Sequence, residues 1–450
     1  MGATPQIRQR TRPSSTRRPP QAPPSSAQER MSAANLTATN QPSPNERESP
    51  VTTDDSHAAT KLRATMVSEL HDLGAIRSES VAAAVATVPR HLFAPDAPLE
   101  DAYAADNPLV IKRDVNGKAL SSMSATHIQV VMLEQADIEA GMRVLEIGSG
   151  GYNAALLAEI VGEQGRVTTV DIDPEIVERA GACLRSTGYD HIDVVLADAE
   201  EGVPANVPYD RIIVTAGAWD IPPAWLEQLS PDGRIVVPLR LKGATRTIAF
   251  DRDGEGGLIS RSYGLCGFVP FQGAGSHTER LVAIDDGVSV RLDDDTQQVD
   301  VAALRQALHS PGIERWSRAA FDLPDELELF LLTSDPHMAT LLADQERIDQ
   351  RLLAGSTGRG APVLIDGGSF AYRTSRENEE TGGYETGVIA HGPSAEQIAE
   401  RYVESLRRWA REHRRRGAAT IRYLPKSAAV PAPSSELIIK RHGAVVVSWP

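Results

Sequence analysis

Cysteine is nearly absent from this 450-residue sequence: Cys183 and Cys266 stand far apart, with no Cys-x-x-Cys pair. That usage argues against a disulfide framework and against a thiolate metal site. Aromatic residues are scarce, at 5%. No uninterrupted apolar run approaches the ~18 residues that a membrane helix needs. Positive charge is also in deficit: 46 Lys and Arg against 61 Asp and Glu give −15, which speaks against a dedicated nucleic-acid binder. What is present is 41% apolar residues, enough for a substantial core, and a length of about three domains at ~150 residues each. The expectation is a cytoplasmic protein with no membrane or nucleic-acid partner and no metal.

Residues 1–57 contain no Phe, Trp or Tyr but nine prolines. So little apolar surface cannot offset the entropy of ordering, and the segment reads as disordered. Five arginines stand in the first twenty residues without an acid. A transit peptide shares that bias, yet the apolar stripe of such a helix is missing. Met31 is a second candidate start.

From about residue 58 to 285 apolar strands alternate with helical stretches: RVLEI (143–147), ALLAEIV (155–161), RVTTVDI (166–172), EIVERAGACL (175–184), DVVLAD (193–198), RIIVTAG (211–217), WLEQL (225–229) and GRIVVPL (233–239). Such spacing specifies βαβ units, hence an α/β Rossmann-like parallel sheet with helices on both faces. A strand pair turned at Asp253-Gly254 follows. Residues 286–450 change pattern. Helices over 301–308, 326–332 and 395–416 mix with strands over 361–366, 369–374, 419–424, 436–441 and 444–449, which reads as a smaller α+β domain. Ser394 and Gln397 form a capping-box pattern for the long helix, and Gly417 ends it.

The strongest local signal is Glu146-Ile147-Gly148-Ser149-Gly150-Gly151-Tyr152, a buried strand entering a glycine turn that opens a helix. Glycines admit a ligand close to the backbone, and the helix start offers free N–H groups. Both NAD and S-adenosylmethionine (AdoMet) enzymes use such a turn. The next strand reaches Asp171 and Ile172, where a carboxylate can take both ribose hydroxyls. The third ends at Asp198 and Ala199, where an acid can read an adenine amino group. Acids near three successive strand ends (Glu146, Asp171, Asp198), with no complete GxGxxG, favour AdoMet. A nicotinamide enzyme and a fold whose glycines only turn the chain are the alternatives.

Several ordered blocks then resemble the protein-L-isoaspartate O-methyltransferase family over residues 60–275. Val88-Pro89-Arg90-His91-Leu92-Phe93 is similar to its VPR-x-x-F, and Tyr103 with Asn107-Pro108-Leu109 to the segment leading to its active-site serine. The VLEIG block, Asp210–Ala218, Ile221–Pro238 and Gly267-Phe268-Val269-Pro270 follow in order. Two features depart. The family's Ser-Gln-Pro or Ser-Ala-Pro-His is Ser124-Ala125-Thr126-His127 here, and the glycine loop is one residue shorter than G-x-G-S-G-Y. The additional ~180 residues after the FVP block resemble the layout of "FxLD system" methyltransferases, which accompany lanthipeptide biosynthesis.

That resemblance implies an AdoMet-dependent O-methyltransferase esterifying an Asp carboxylate of a modified precursor peptide, leading through succinimide to isoaspartate or aspartimide. General isoaspartyl repair, a graspetide-pathway enzyme and a non-catalytic AdoMet- or peptide-binding module are the alternatives. Ser124 is the candidate for orienting the carboxylate, its other reading being a helix N-cap. Glu146, Gly148, Ser149, Gly150, Tyr152, Asp171, Ile172, Asp198 and Ala199 are the candidate cofactor residues. His127, Thr215, Arg407 and Arg411 are candidates for the substrate. For His127 the competing reading is a structural histidine. For the arginines it is a solvated helix face with cations favoured at its C-terminal end.

Overall fold

The computed structural model describes residues 53–293, 297–321, 324–378, 382–428 and 437–450, with the side chains of 53–55 and 324–325 left aside. Most of the expected disordered segment, and Asp294, Asp295 and Glu436, lie outside these residues. Helix α1 runs Thr53–Asp72, so it includes residues 53–57 of the segment expected to be disordered. Helix α2, Glu79–Thr87, starts on Ser78, whose hydroxyl accepts from the Val81 N–H, and the chain turns extended at Val88 before Pro89. Among the described residues no helix is long and apolar enough to cross a membrane.

A hairpin of strands β1 (Leu109–Arg113) and β2 (Ala119–Met123) stands apart from the two larger sheets, preceded by a short helix α3 at Leu99–Tyr103 and followed by helix α4 at Thr126–Ala136. The alternation then runs β3 (Arg143–Ile147), α5 (Tyr152–Val161), β4 (Arg166–Asp171), α6 (Pro174–Ser186), β5 (Asp193–Leu196), β6 (Tyr209–Val214), α7 (Pro223–Gln228) and β7 (Leu229–Leu241). Strands β5-β4-β3-β6-β7 are parallel neighbours in that order. Antiparallel β8 (Ala244–Arg252) and β9 (Leu258–Leu265) extend the sheet beyond β7. Alternate residues of one strand feed two cores. Val144, Ile213 and Val236 join Met66, Val85, Leu133 and Leu157 on one face. Leu145, Ile212 and Ile235 join Trp225 and Val203 on the other. Both faces are therefore covered, as parallel strands require.

The second sheet is antiparallel throughout, in the order β10-β11-β13-β14-β15-β16-β12. Its strands are β10 (Arg280–Asp285), β11 (Val288–Leu292), β12 (Ile313–Ala320), β13 (Met338–Ala343), β14 (Ala361–Asp366), β15 (Ser369–Asn378) and β16 (Gly383–His391). Ile398, Tyr402 and Leu406 of the long helix Ala395–Arg408 pack on one face, and Leu304 and Leu308 of helix Val301–Leu308 on the other. The capping box expected at Ser394 does not form: that hydroxyl makes no cap bond, and the helix passes into a π-turn at Trp409–His413.

The expected unit 286–450 is split between the two sheets. Strand β17 (Thr420–Pro425) pairs with β9, and β19 (Gly443–Ser448) and β18 (Leu437–Ile439) continue outward from it. Among the described residues, β17, β18 and β19 thus bring the first sheet to ten strands.

Arg90, fully buried, ties the segments of the first half together. Its Nε donates to Ala102 O (2.9 Å), Nη1 to Gln129 Oε1 (2.8 Å) and Nη2 to Ser124 O (2.8 Å), while its Cζ lies 4.8 Å from the centre of the Tyr152 ring. Burial lowers its pKa to about 10, so it stays charged at neutral pH. A lysine cannot reach three divergent acceptors. Arg90→Lys is expected to lose about 2–4 kcal/mol of unfolding free energy. An unchanged urea midpoint would show that the fork is dispensable.

Candidate active site

The parallel register builds the site. Glu146 of β3 pairs with Thr169 of β4, and its carboxylate accepts from Thr169 Oγ1 (2.6 Å) and from Asn153 Nδ2 of α5 (2.8 Å). It is wholly buried and lies behind the cleft wall, where it ties β3, β4 and α5 to one another. Desolvation pushes its carboxyl up to about 7, against the pull of both hydrogen bonds.

Past Ile147 the chain turns at Gly148, with φ +98°. A Cβ there would fall 2.5 Å from Thr215 Oγ1. That hydroxyl faces Gly148 O at 2.9 Å and Ile147 O at 3.1 Å. Thr215, expected at the substrate, thus holds the glycine turn while also lining the cleft. The Ser149 N–H donates to Asp171 Oδ2 (2.9 Å), and Asp171 Oδ1 accepts from Asp173 N (3.0 Å). Burial raises the Asp171 pKa despite these bonds. Each of its oxygens keeps a lone pair for another donor.

The resulting cleft holds about 660 Å³ and opens on solvent. Its floor is Gly148, Ser149 and Gly150, and one wall is Asp171, Ile172, Asp198 and Ala199. It lies outside the carboxyl ends of β3, β4 and β5, where β3 has neighbours leading in opposite directions, the usual ligand position in open α/β sheets. Its roof comes from two segments that sequence patterning overlooked. The β1–β2 hairpin contributes Leu120, Ser121 and Ser122 and is pinned by Lys112 Nζ to Asp173 (2.6 Å) and Glu175 (2.9 Å). The strip Val269–Gln272 meets it through Gln272 Nε2 and Leu120 O (3.1 Å). The signal for the hairpin was Asn116-Gly117 at its turn.

Other expected residues lie elsewhere. Tyr152 is fully buried under Arg90 and edge-on to Phe93, so it supports the loop from behind. Ser124 follows β2 two residues after Ser122 and is not in the cleft wall; Ala125, not Ser124, is the N-cap of α4. His127 is 2% exposed, with Nδ1 on Ala105 O at 3.1 Å. The carbonyl makes Nδ1 the protonated nitrogen, and burial lowers the pKa, which is a structural histidine's arrangement. Arg407 pairs with Glu400 (2.7 Å), and Arg411 with Glu404 (2.8 Å). These arginines serve their own helix on the second sheet and do not line the cleft.

The cleft residues fit a nucleoside with a charged tail. Ser149 Oγ is buried without a partner, and a Cβ on Gly150 would meet nothing within 4 Å, so the loop faces open space with polar capacity unused. Two carboxylates stand on the far wall. Fold and cleft together define an AdoMet-dependent methyltransferase. A sequence model described as "Protein-L-isoaspartate(D-aspartate) O-methyltransferase (PCMT)" matches residues 61–276. A protein-L-isoaspartate O-methyltransferase of Methanopyrus kandleri is 40% identical over 222 residues, 49% of this chain and 95% of that protein. Protein-L-isoaspartate O-methyltransferase 2 of Archaeoglobus fulgidus is 40% identical over 197 residues, 44% of this chain and 86% of that protein. A solved structure titled as a protein-L-isoaspartate O-methyltransferase aligns with 80% of this chain and 96% of its own at 23% identity and a TM-score of 0.46. The chain belongs to the protein-L-isoaspartate O-methyltransferase family, whose methyl donor is AdoMet.

Two expectations follow. Gly150→Ala leaves the melting temperature unchanged and weakens S-adenosylhomocysteine binding about tenfold or more in calorimetry, because its methyl group enters only ligand space; Gly148→Ala loses both binding and stability, having to displace Thr215 at a positive φ. Glu146 behaves differently with pH. Its folded pKa lies above the ordinary 4.5, so the native state keeps a proton that the unfolded chain has lost, and stability falls as pH rises between about 4.5 and 7. In thermal melts Glu146→Gln should gain on the parent from pH 5 to pH 8; a constant difference would contradict the assignment.

Proposed function

We propose that this enzyme transfers the AdoMet methyl group to an aspartyl carboxylate of a peptide, and that its particular substrate is a ring-containing, ribosomally made peptide of the lanthipeptide type. The observation that supports a dedicated substrate is structural. The second sheet lies outside the matched span 61–276, and the chain returns from it to add β17–β19 to the first sheet, so an additional body accompanies the methyltransferase fold. Thr126 in place of the family's proline, next to Ser124, adds to this reading. The family's repair activity on isoaspartyl residues is the competing one, and a graspetide precursor would serve the same chemistry.

The bound cofactor supplies an electrophilic methyl group on a sulfonium. Gly148–Gly150 leave room for its tail, and Asp171 and Asp198 offer acceptors to its ribose and adenine. An aspartate with a pKa of ~3.9 is ionised at neutral pH, so no general base is needed. What the protein must provide is alignment and the exclusion of water. The β1–β2 roof and Gln272 provide the second. For the first we assign Ser124, whose carbonyl is fixed by Arg90 and whose hydroxyl can donate to the carboxylate. The following backbone nitrogen attacks the ester carbonyl and closes a succinimide, and the methoxy group leaves as methanol with that nitrogen's proton. Water then opens that ring to aspartate or isoaspartate, unless the peptide's own rings protect it as aspartimide. The setting is cytoplasmic, where precursor peptides are made.

The test compares three peptides with AdoMet by mass spectrometry: an isoaspartyl peptide, its linear Asp counterpart, and a lanthionine-bridged peptide bearing Asp in a ring. Methyl gain, or methanol loss to succinimide, on the bridged peptide alone supports a dedicated enzyme. Turnover confined to the isoaspartyl peptide refutes it and leaves repair. With the reactive peptide, Ser124→Ala should lower kcat about a hundredfold with little change in cofactor affinity.

A further inference from the structure

The Asp198 carboxylate is held by exactly two backbone donors whose residues are themselves gripped from far along the chain. Glu200 N donates to Oδ1 (3.0 Å), and Ala274 N donates to Oδ2 (2.7 Å). Glu200 and Ala274 are both engaged by the turn between β18 and β19. His442 Nε2 lies 2.7 Å from Glu200 Oε1, Arg441 Nη1 lies 3.6 Å from the same oxygen, and Arg441 Nη1 donates to Ala274 O (2.5 Å). The turn is anchored on both sides. The His442 N–H donates to Asp220, which also accepts from Tyr423 Oη of β17 (2.8 Å). Lys440, buried, donates from Nζ to Arg240 O (2.6 Å) and lies 3.3 Å from the centre of the Trp219 ring.

Packing leaves the outer side of this arrangement partly open. A second cavity of about 450 Å³ opens beside Phe271, with Trp219, Glu200, His277, Arg441 and His442 among its walls. The short turn Gly273–Gly275 therefore borders empty space on that side and is kept in place by polar links. Its position is also tight on the other side: a Cβ on Gly273 would fall 2.3 Å from Asp198 Oδ2 and 2.6 Å from Ile172 Cδ1. A small displacement of the turn would move against the wall of the cofactor cleft.

We infer that Arg441 and His442 are positioning residues for the cofactor, acting as a strap that fixes Glu200 and Ala274 and through them the orientation of the Asp198 carboxylate. The inference rests on the assignment of Asp198 to the cofactor. It places a determinant of cofactor affinity well outside the span 61–276 shared with the family. The strap touches neither the glycine loop nor Ser124, so its loss weakens cofactor binding and leaves the transfer step intact once the cleft is full.

The experiment uses the full chain and S-adenosylhomocysteine in calorimetry, with steady-state kinetics alongside. Arg441→Ala and His442→Ala are each expected to raise Kd about fivefold, and the double variant by more than tenfold. The KM for AdoMet rises in step while kcat at saturating AdoMet holds. His442→Gln restores affinity, because its amide can still donate to Glu200. A double variant with unchanged melting temperature and Kd within about twofold of the parent overturns the strap. Should the double variant melt early, Arg441→Ala alone decides, since that side chain is 57% exposed, and an unchanged Kd there has the same force. Asp198→Asn separates the two levels. If it weakens binding while the strap variants do not, only the strap is refuted; if it leaves Kd unchanged, the assignment of Asp198 fails and the strap with it.

Discussion

The guanidinium of Arg90 is buried without a carboxylate beside it, and its donors are answered by two backbone carbonyls and an amide oxygen from three different segments. A buried charge is tolerated only when fully hydrogen-bonded, so these segments must arrive together or not at all. One of the carbonyls belongs to Ser124, and the aromatic ring under the charge belongs to Tyr152 at the start of the helix after the glycine loop. The segment that follows the β1–β2 hairpin and the helix that leaves the glycine loop are thus referenced to one point. A buried acid, Glu146, does the same for β3, β4 and α5. Both groups sit behind the cleft rather than in it, which leaves the cleft's own carboxylates free for ligand.

The βαβ half was legible because its signals agree with one another. Apolar runs of strand length, Asp173-Pro174 opening α6 and Gly148 at a positive φ all point to the same elements. The acids were legible as acids but not by role: Glu146 and Asp171 stand 25 positions apart, yet one is sealed behind the wall and the other lines it. Sequence spacing gives the strand end and does not give the direction of a side chain. The second sheet was read less completely. Strand β12, IERWSRAA, alternates weakly and is broken by a left-handed Arg318, and β13 and β16 gain their identity from pairing with strands on either side. In the Arg-rich helix, Glu400 and Glu404, which pair with Arg407 and Arg411, each stand seven residues before their arginine, a spacing that the sequence carries but does not mark as a pairing.

The roof and the floor of the cleft are held by different means. The hairpin lies across α6 through Lys112, and the strip Val269–Gln272 closes from the opposite side, joined to the hairpin by a single side-chain amide. Arg441 braces the adjoining turn Gly273–Gly275 from behind. The floor is set by register within the parallel strands, whereas the roof is set by isolated polar contacts between segments remote in sequence.

The pairing of β17 with β9 also imposes an order on synthesis. Strand β9 ends at Leu265, and its partner edge is not filled until Thr420–Pro425 has been made. While the second sheet emerges and folds, β9 presents a bare row of N–H and C=O groups, the kind of edge that invites pairing with another chain. The intervening residues work against this by folding mainly through neighbouring antiparallel strands, whose contacts are close in sequence and form quickly. The nascent protein therefore passes through an interval in which its methyltransferase half is nearly whole but adhesive, and the speed with which the second sheet folds sets how long that interval lasts.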